Sequence, residues 1–583
     1  MRSTARGFAR TIIRRIELPP ARPSKAPGVF ELRFSHYGLV VAILFTAVSL
    51  LPSLLPRVPT VQGFASGVTF TMGYGVGTLV GAVWRYLGIP EPRGRARAGA
   101  LAGAYGGATL ALAGSVWWFV GWQNSIRRSF GMEDLYPTVW PIIAGLTLLV
   151  AVLVLILSRS LRLLFRSAGN LLDRWLPRRL ANVLAATALF AVLNLLVSGV
   201  LVQGLFSVAN TVFSGRDTLD KAGVSQPMSA TKSGSPDSLV HWDDMGRQGR
   251  AFVSIGPSAQ DINTFSHGGA LEPIRVYVGL KSAETLQERA DLLLAELKRS
   301  GAFDREILVL ATTTGTGFLD SHGVDPLEYL WNGDTAIAGV QYSFLPSWIS
   351  LLADQEAVKL TSTTVFKTVY DYWSTLPEDS RPGLYLYGLS LGSYGIESVL
   401  NSVDFINEPI DGALMVGPPF VNPLHADLVS VRDEGSTPWL PVVSNGKTVR
   451  FTTETNALDE PSAPWGPTRL VYLQHGSDPV VFFSPNLAWS KPDWLQPGQR
   501  APDVSGHMTW FPLVTMWQTL LDLPAAESVP DGYGHSYSIR ANLEAWVGVT
   551  DVPDWTTADT ERLSRRMEER QSERKSLLDQ LSD

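Results

Sequence analysis

Residues 382–397 read PGLYLYGLSLGSYGIE, a short β-prone run that leads straight into Gly388-Leu389-Ser390-Leu391-Gly392 and then into a helix-compatible stretch. No other segment constrains the fold as strongly. A serine on a sharp strand-to-helix turn takes up a strained backbone, and the residues two before and two after it must be nearly free of side chain for strand and helix to close up. Ser390 is thereby lifted clear of the sheet, with the N-terminus of the new helix facing whatever negative charge develops there. The chain holds 52 glycines, and a glycine-rich turn with a capping serine looks the same, so the partners of Ser390 decide the reading.

A serine activated in this setting needs an acid and then a histidine later in the chain, the acid on a turn after a following strand. The segment VYLQHGSDPVV supplies the acid: Asp478 lies in a Gly-Ser-Asp-Pro turn just past a β-prone run. A buried carboxylate there orients an imidazole and stabilises the imidazolium formed in turnover. Asp411 is the weaker rival, because it opens its strand at the end facing away from such a site. Of the eight histidines only His507 and His535 follow Asp478. His535 sits in the glycine-flanked loop DGYGHSY, which can place an imidazole over a serine, whereas His507 precedes an apolar, tryptophan-rich run. His475, three residues from Asp478 on the same turn, reads as a local packing or hydrogen-bonding residue.

The oxygen of a tetrahedral intermediate needs two backbone donors. The amide of Leu391, directly after the nucleophile, is one; the other is expected in the TTTGTG loop, Thr312 to Gly317, with Thr314 as the choice to within about two residues. That loop lacks the Lys-Ser/Thr pair and the spacing of a phosphate cradle. No HExxH or carboxylate-rich cluster suggests a metal, and no cofactor is expected.

Around the elbow, strands and helices alternate. Strands are expected at 274–280, 306–312, 335–342, 383–387, 410–416 and 469–474, and helices at 283–299, 324–332 and 354–376, followed by the helix after the elbow. Alternation of this kind argues for a mostly parallel sheet with helices on both faces and its chemistry at the carboxyl ends of the strands. No strand pattern is legible between 485 and 535.

The first ~210 residues are of another kind. Five apolar stretches, near 36–55, 64–87, 98–121, 138–157 and 180–206, each have roughly the 20 residues that a helix needs to cross ~30 Å of hydrocarbon. Gly73, Gly75, Gly77 and Gly81 are expected to permit close helix packing. Arginines crowd the N-terminal arm, the second connection (Arg85, Arg93, Arg95, Arg97) and the fourth (Arg159, Arg162, Arg166, Arg174, Arg178, Arg179), whereas the intervening connections hold only Arg57, Arg127 and Arg128. If the arginine-rich side is cytoplasmic, five spans deliver the remainder of the chain to the opposite face. The expected organisation is a basic cytoplasmic arm (1–35), a transmembrane helical domain (36–206), a loosely ordered linker (207–240), a catalytic domain (241–556) and a charged, solvated C-terminal helix (557–583). With a net charge of −6 the chain is not expected to bind nucleic acid; its expected partners are the lipid bilayer and a lipid-like or acylated small molecule. The absence of cysteine removes disulfide and thiolate chemistry. Twelve of the eighteen tryptophans lie in the C-terminal part, mostly as packing residues, with a subset lining an acyl pocket as the lesser alternative.

The combination of GLSLGS, VGPPFVNP, VYLQHGSDPVV, MTWFPLVTMWQ and VPDGYGHSY, with GDTAIAGVQYSFLPSW upstream, resembles the bacterial, actinobacterial-type membrane-anchored α/β-hydrolase family, which pairs a multi-spanning N-terminal domain with a C-terminal hydrolase domain. The resemblance covers nearly the whole chain. It implies an α/β-hydrolase fold with Ser390, Asp478 and His535 at the matching positions, and a serine hydrolase of esterase or lipase type. Leu389 departs from the pattern, standing where many members carry an acidic residue beside the nucleophile, and substrate preference is what that departure touches. The same triad would equally serve an envelope acyltransferase, and a non-catalytic binding or assembly protein on a hydrolase scaffold is the alternative from another class.

Overall fold

The computed structural model describes residues 34–173 and 211–582, apart from 267, 354 and 402–408, with scattered positions between 174 and 210. The basic arm and the fifth apolar stretch lie almost wholly outside the described residues. The other four stretches are helices: α1 (His36–Ser49), α2 (Pro59–Tyr86), α3 (Gly94–Ser129) and α4 (Trp140–Leu172).

Only two segments among the described residues, Gly94–Ser129 and Pro137–Leu172, are long and apolar enough to cross a membrane, so the expected bundle of five spans is not what the described residues present. The reasons are local. Helix α1 has 14 residues, about 21 Å at ~1.5 Å per residue, and ends where Pro52 disfavours helical backbone before it. Helix α2 begins on Pro59 and is long enough, but its glycines and threonines leave it less apolar. Those glycines are used for packing. A Cβ on Gly73 would lie 2.7 Å from the Val41 carbonyl of α1, and one on Gly63 2.7 Å from Leu146 Cβ of α4. Gly75, expected to share this role, faces open space.

The C-terminal part is a seven-stranded sheet in the order β1-β3-β2-β4-β5-β7-β6, parallel throughout. In chain order its elements are α5 (Gly246–Ile255), β1 (Ile274–Val278), α6 (Leu286–Ser300), β2 (Ile307–Thr312), α7 (Ser321–Leu330), β3 (Thr335–Val340), α8 (Gln355–Trp373), β4 (Gly383–Leu389), α9 (Leu391–Leu400), β5 (Gly412–Val416), β6 (Val449–Thr452), β7 (Arg469–Leu473), α10 (Val514–Asp522), α11 (Ile539–Thr550) and α12 (Thr557–Ser582). The inner strands are apolar runs buried on both sides, as a parallel sheet requires. Helices α6, α8 and α9 pack together on one face, while α7, α11 and α12 pack together on the other.

Two peripheral segments are better ordered than expected. Part of the linker is built into the sheet edge: Ser233 is fully buried, its amide donates to the Arg275 carbonyl at 3.0 Å, and the Arg275 amide donates to Thr231 at 3.2 Å. The C-terminal helix is not solvated all round either. Leu563 and Met567 are buried in the core, and Arg570 reaches Asp325 and the Ile255 carbonyl.

Strand register sets up the site. Thr312 of β2 lies opposite Gly388 of β4, Leu389 opposite Val416 of β5, and Val416 opposite Leu473 of β7. Four neighbouring carboxyl ends therefore deliver the 313–317 loop, Ser390, Gly417 and the Asp478 turn side by side.

Candidate active site

Ser390 occupies the turn between β4 and α9 with φ 54° and ψ −123°, a conformation costly for any residue with a side chain, on the order of 1–3 kcal/mol. Its surroundings enforce it. The Ser390 amide donates to the Val416 carbonyl at 2.8 Å, while its carbonyl accepts from the Ser393 amide at 2.8 Å and the Ser393 hydroxyl at 2.7 Å. A Cβ on Gly388 would overlap the Gly392 carbonyl, and one on Gly392 would overlap the Thr312 carbonyl. Both flanking glycines are thus demanded by contact, as the GxSxG pattern predicts. Leu391 opens α9, so its amide stands at the helix N-terminus beside the serine.

Asp478 caps the one-turn helix Pro479–Phe482, accepting the Val480 amide at 2.8 Å, and is fully buried. Its Oδ2 accepts from His535 Nδ1 at 2.6 Å and from the Tyr537 hydroxyl at 2.7 Å. Burial by itself would raise the carboxyl's pKa; the adjoining imidazole and the three donors outweigh it and hold the group below its ordinary value. The converse holds for His535, where burial lowers the imidazole's pKa but the attraction of Asp478 prevails and the net shift is upward. With Nδ1 committed to the carboxylate, Nε2 is the free nitrogen, buried and without a hydrogen-bond partner among the described residues.

The histidine loop is fixed from several sides. The His535 amide donates to the Ala526 carbonyl at 2.8 Å, the Gly534 amide to Ser477 Oγ at 3.0 Å, and His475 Nδ1 bonds the Gly534 carbonyl at 2.9 Å while its ring stacks on Tyr537. His475, expected to act locally, therefore supports the histidine loop 59 residues away. Gly417 makes room for the imidazole: at φ +53° it brings bare backbone against the ring, and a Cβ there would lie 2.5 Å from His535 Cε1. Sequence reasoning did not single out Gly417 or Tyr537. The signals were present in VGPPFVNP and in the aromatic two residues past the histidine.

The rival residues lie elsewhere. Asp411 accepts the Leu384 amide at 2.7 Å just ahead of β5, at the opposite end of the strands. His507 is exposed, with its ring 6.3 Å from Trp122. One expectation needs correction. The Thr314 amide donates to the Phe318 carbonyl at 2.9 Å, and the Gly317 amide closes back on the Thr314 carbonyl at 2.7 Å. The tight turn that the glycines create consumes the donor expected to face an oxyanion.

Behind the elbow, Glu397 of α9 is fully buried and accepts from Asn422 Nδ2 (2.9 Å), the Leu424 amide (2.8 Å), the His425 amide (3.1 Å) and the Tyr472 hydroxyl (2.8 Å). Burial pushes its carboxyl upward against those bonds. The network ties the segment after Gly417 to the nucleophile's helix.

Ser390, His535 and Thr314 line a common cavity of about 570 Å³. Its walls are largely apolar, with Phe318, Leu351, Leu389, Val480, Leu520 and Leu523 among them, and Lys221, Gln248 and Glu527 add polar groups. Leucine and phenylalanine fill the role that tryptophan was the lesser candidate for, since no tryptophan is among the lining residues described.

Residues 274–563 match the model of a family described as "Alpha/beta-hydrolase family", and residues 50–257 match that described as "Alpha/beta-hydrolase family N-terminus". No curated protein and no solved structure gives a significant match.

Proposed function

Because the chain belongs to this α/β-hydrolase family, we propose that it is a serine hydrolase cleaving an ester or thioester of a lipid or acylated envelope component. The observation that carries the reading is the Asp478–His535 hydrogen bond at 2.6 Å beside a serine held on a strained elbow, both Ser390 and His535 opening into one apolar cavity. Ser390 Oγ attacks the carbonyl carbon as His535 Nε2 takes its proton, and the carbonyl oxygen becomes an oxyanion facing the Leu391 amide. The intermediate collapses, the bond to the leaving oxygen or sulfur breaks, and the imidazolium returns its proton to the departing alcohol or thiol. Water then attacks the acyl-enzyme with His535 again as base, releasing the acid and restoring Ser390. With the Thr314 amide committed, a second oxyanion donor falls to another group of the 313–317 loop.

The cavity favours an acyl group because its lining is mostly aliphatic, while the few polar residues suit a headgroup. Helices α3 and α4 are read as spans that tether the enzyme to a membrane. The connections that pack on the hydrolase domain, 50–58 and 130–136, are poor in arginine, whereas the 87–93 connection at the far end is flanked by Arg85, Arg93, Arg95 and Arg97; this pattern supports an extracytoplasmic catalytic domain.

Covalent labelling of the purified chain by a fluorophosphonate tests the chemistry. Labelling that disappears in Ser390→Ala is expected, and a folded wild-type protein that resists the reagent would overturn the assignment. Protease accessibility of the C-terminal domain in intact cells tests the orientation.

A further inference from the structure

The connection between α1 and α2 is buried although it joins two helices of the other domain. Ser53, Leu54, Leu55 and Arg57 are each at most 3 % exposed, an unusual state for an interhelical loop. What covers them is the hydrolase domain. Leu54 and Leu55, with Ile126 and Phe130 from the end of α3, form one apolar cluster with Val480, Val481 and Phe482, the helix that Asp478 caps, and with Ala526, whose carbonyl holds the His535 amide. Leu55 Cδ2 lies 3.2 Å from where a Cβ of Gly534 would stand, and Phe130 stacks on Tyr533 with ring centres 4.1 Å apart. Beneath them Arg57 Nε pairs with Asp522 Oδ1 at 3.2 Å, both side chains 2 % exposed, and Gln518 Nε2 donates to the Ser49 and Leu51 carbonyls at 3.2 and 3.0 Å. Gln518 and Asp522 belong to α10, which supplies Leu520 to the cavity wall, and the segment running on from it supplies Leu523 and Ala526.

The helical domain therefore packs against the short helix that follows the acid and against the loop that precedes the base. We propose that Leu55, Arg57 and Phe130 are positioning residues for the active site: the helical domain completes the hydrolase by holding the His535 loop and the 520–527 wall in working geometry. The proposal rests on the acyl-enzyme reading for its kinetic consequences and on the contacts alone for its structural ones. Buried ion pairs of this kind leave an uncompensated charge when one member is removed, so Arg57 ties the two domains in one arrangement.

The test uses the full-length chain in detergent, comparing wild type, Leu55→Ala, Phe130→Ala, Arg57→Met and Arg57→Lys, with Leu148→Ala on the exposed face of α4 as control. Misplacing reacting groups by about 1 Å costs roughly 100-fold, so fluorophosphonate labelling in Leu55→Ala and Phe130→Ala is expected to slow about 10- to 100-fold per folded molecule. The loss should fall on kcat for a short-chain ester rather than on KM, with the acid limb of the pH profile displaced. Arg57→Lys should recover part of what Arg57→Met loses, and Leu148→Ala should match wild type. Amide hydrogen exchange should quicken in peptides covering 476–482 and 526–537 but not in those covering β4 and α9. Folded variants that label, titrate and exchange like wild type would overturn the proposal, as would losses that merely track the unfolded fraction. If wild type itself is not labelled, the acyl-enzyme reading fails instead, and the exchange data still decide whether the helical domain holds the loop. Where the alanine variants do not fold, Leu55→Val and Phe130→Leu serve in their place.

Discussion

Tyr537 donates its phenolic hydrogen at 2.7 Å to the same carboxylate oxygen of Asp478 that His535 holds at 2.6 Å. The two donors compete for one oxygen's charge. Removing the phenol leaves the carboxylate less satisfied and more attractive to an imidazolium, which raises the His535 pKa further. Tyr537→Phe is thus expected to move the acid limb of kcat/KM to higher pH and to lower the plateau by about 10-fold or less. A pH–rate profile of the variant against wild type checks both, and an unmoved limb would remove Tyr537 from the network.

The same titration fixes the wild-type profile. His535 can accept the Ser390 proton only when neutral, and its pKa lies above the ordinary 6.5. Activity should therefore rise with pH through a midpoint above 6.5 and fall away below it. A limb centred below that value would mean that Asp478 does not control the imidazole.

Gly417→Ala places a methyl group 2.5 Å from His535 Cε1 on a backbone at φ +53°. The ring must turn or retreat, so labelling of Ser390 should drop about 100-fold, the scale of a 1 Å misplacement. The positive φ adds a stability loss of about 1 kcal/mol, read as a lower melting temperature. Wild-type labelling in this variant would show that the imidazole is not held against Gly417.

His425 carries an acid-sensitivity of its own. It is buried, bonded through Nε2 to Gln474 at 2.7 Å, and burial pushes its pKa down to about 4. The unfolded chain binds this proton near pH 6.5 and the folded chain only near 4, so stability falls as pH drops through that window, by on the order of 3 kcal/mol in all. Melting temperatures of wild type and His425→Gln between those pH values test this, and the variant should show the shallower slope.

The elbow was legible because sterics leave the serine's neighbours little choice, and the order serine, acid, histidine then picked out Asp478 and His535, which the structure joins. Six strands announced themselves as apolar runs. The seventh, Val449–Thr452, did not: it is four residues long, and its buried Arg450 and Thr452 break the apolar signal. It also explains why no strand was found between 485 and 535, since β6, from earlier in the chain, borders β7 at that edge. The Thr314 donor was misjudged because a turn's internal hydrogen bonds depend on backbone geometry that the letters TTTGTG do not fix. The burial of Leu55 and Arg57 was beyond reach for a different reason: their partners lie more than 400 positions away, and a helix-linking loop gives no local sign of being covered.

The turn at Ser390 has one last implication, for how the chain tolerates change. At φ 54° and ψ −123° glycine is at ease and every other residue is not, so the position the chemistry depends on is also the one where the fold prefers no side chain at all. A Ser390→Gly protein should outlast its parent on heating, whereas Ser390→Ala should keep the parent's thermal behaviour. The hydroxyl stays where it is only because its neighbourhood is stable enough to carry an unfavourable residue, and robustness and reactivity are set against each other at a single atom's attachment.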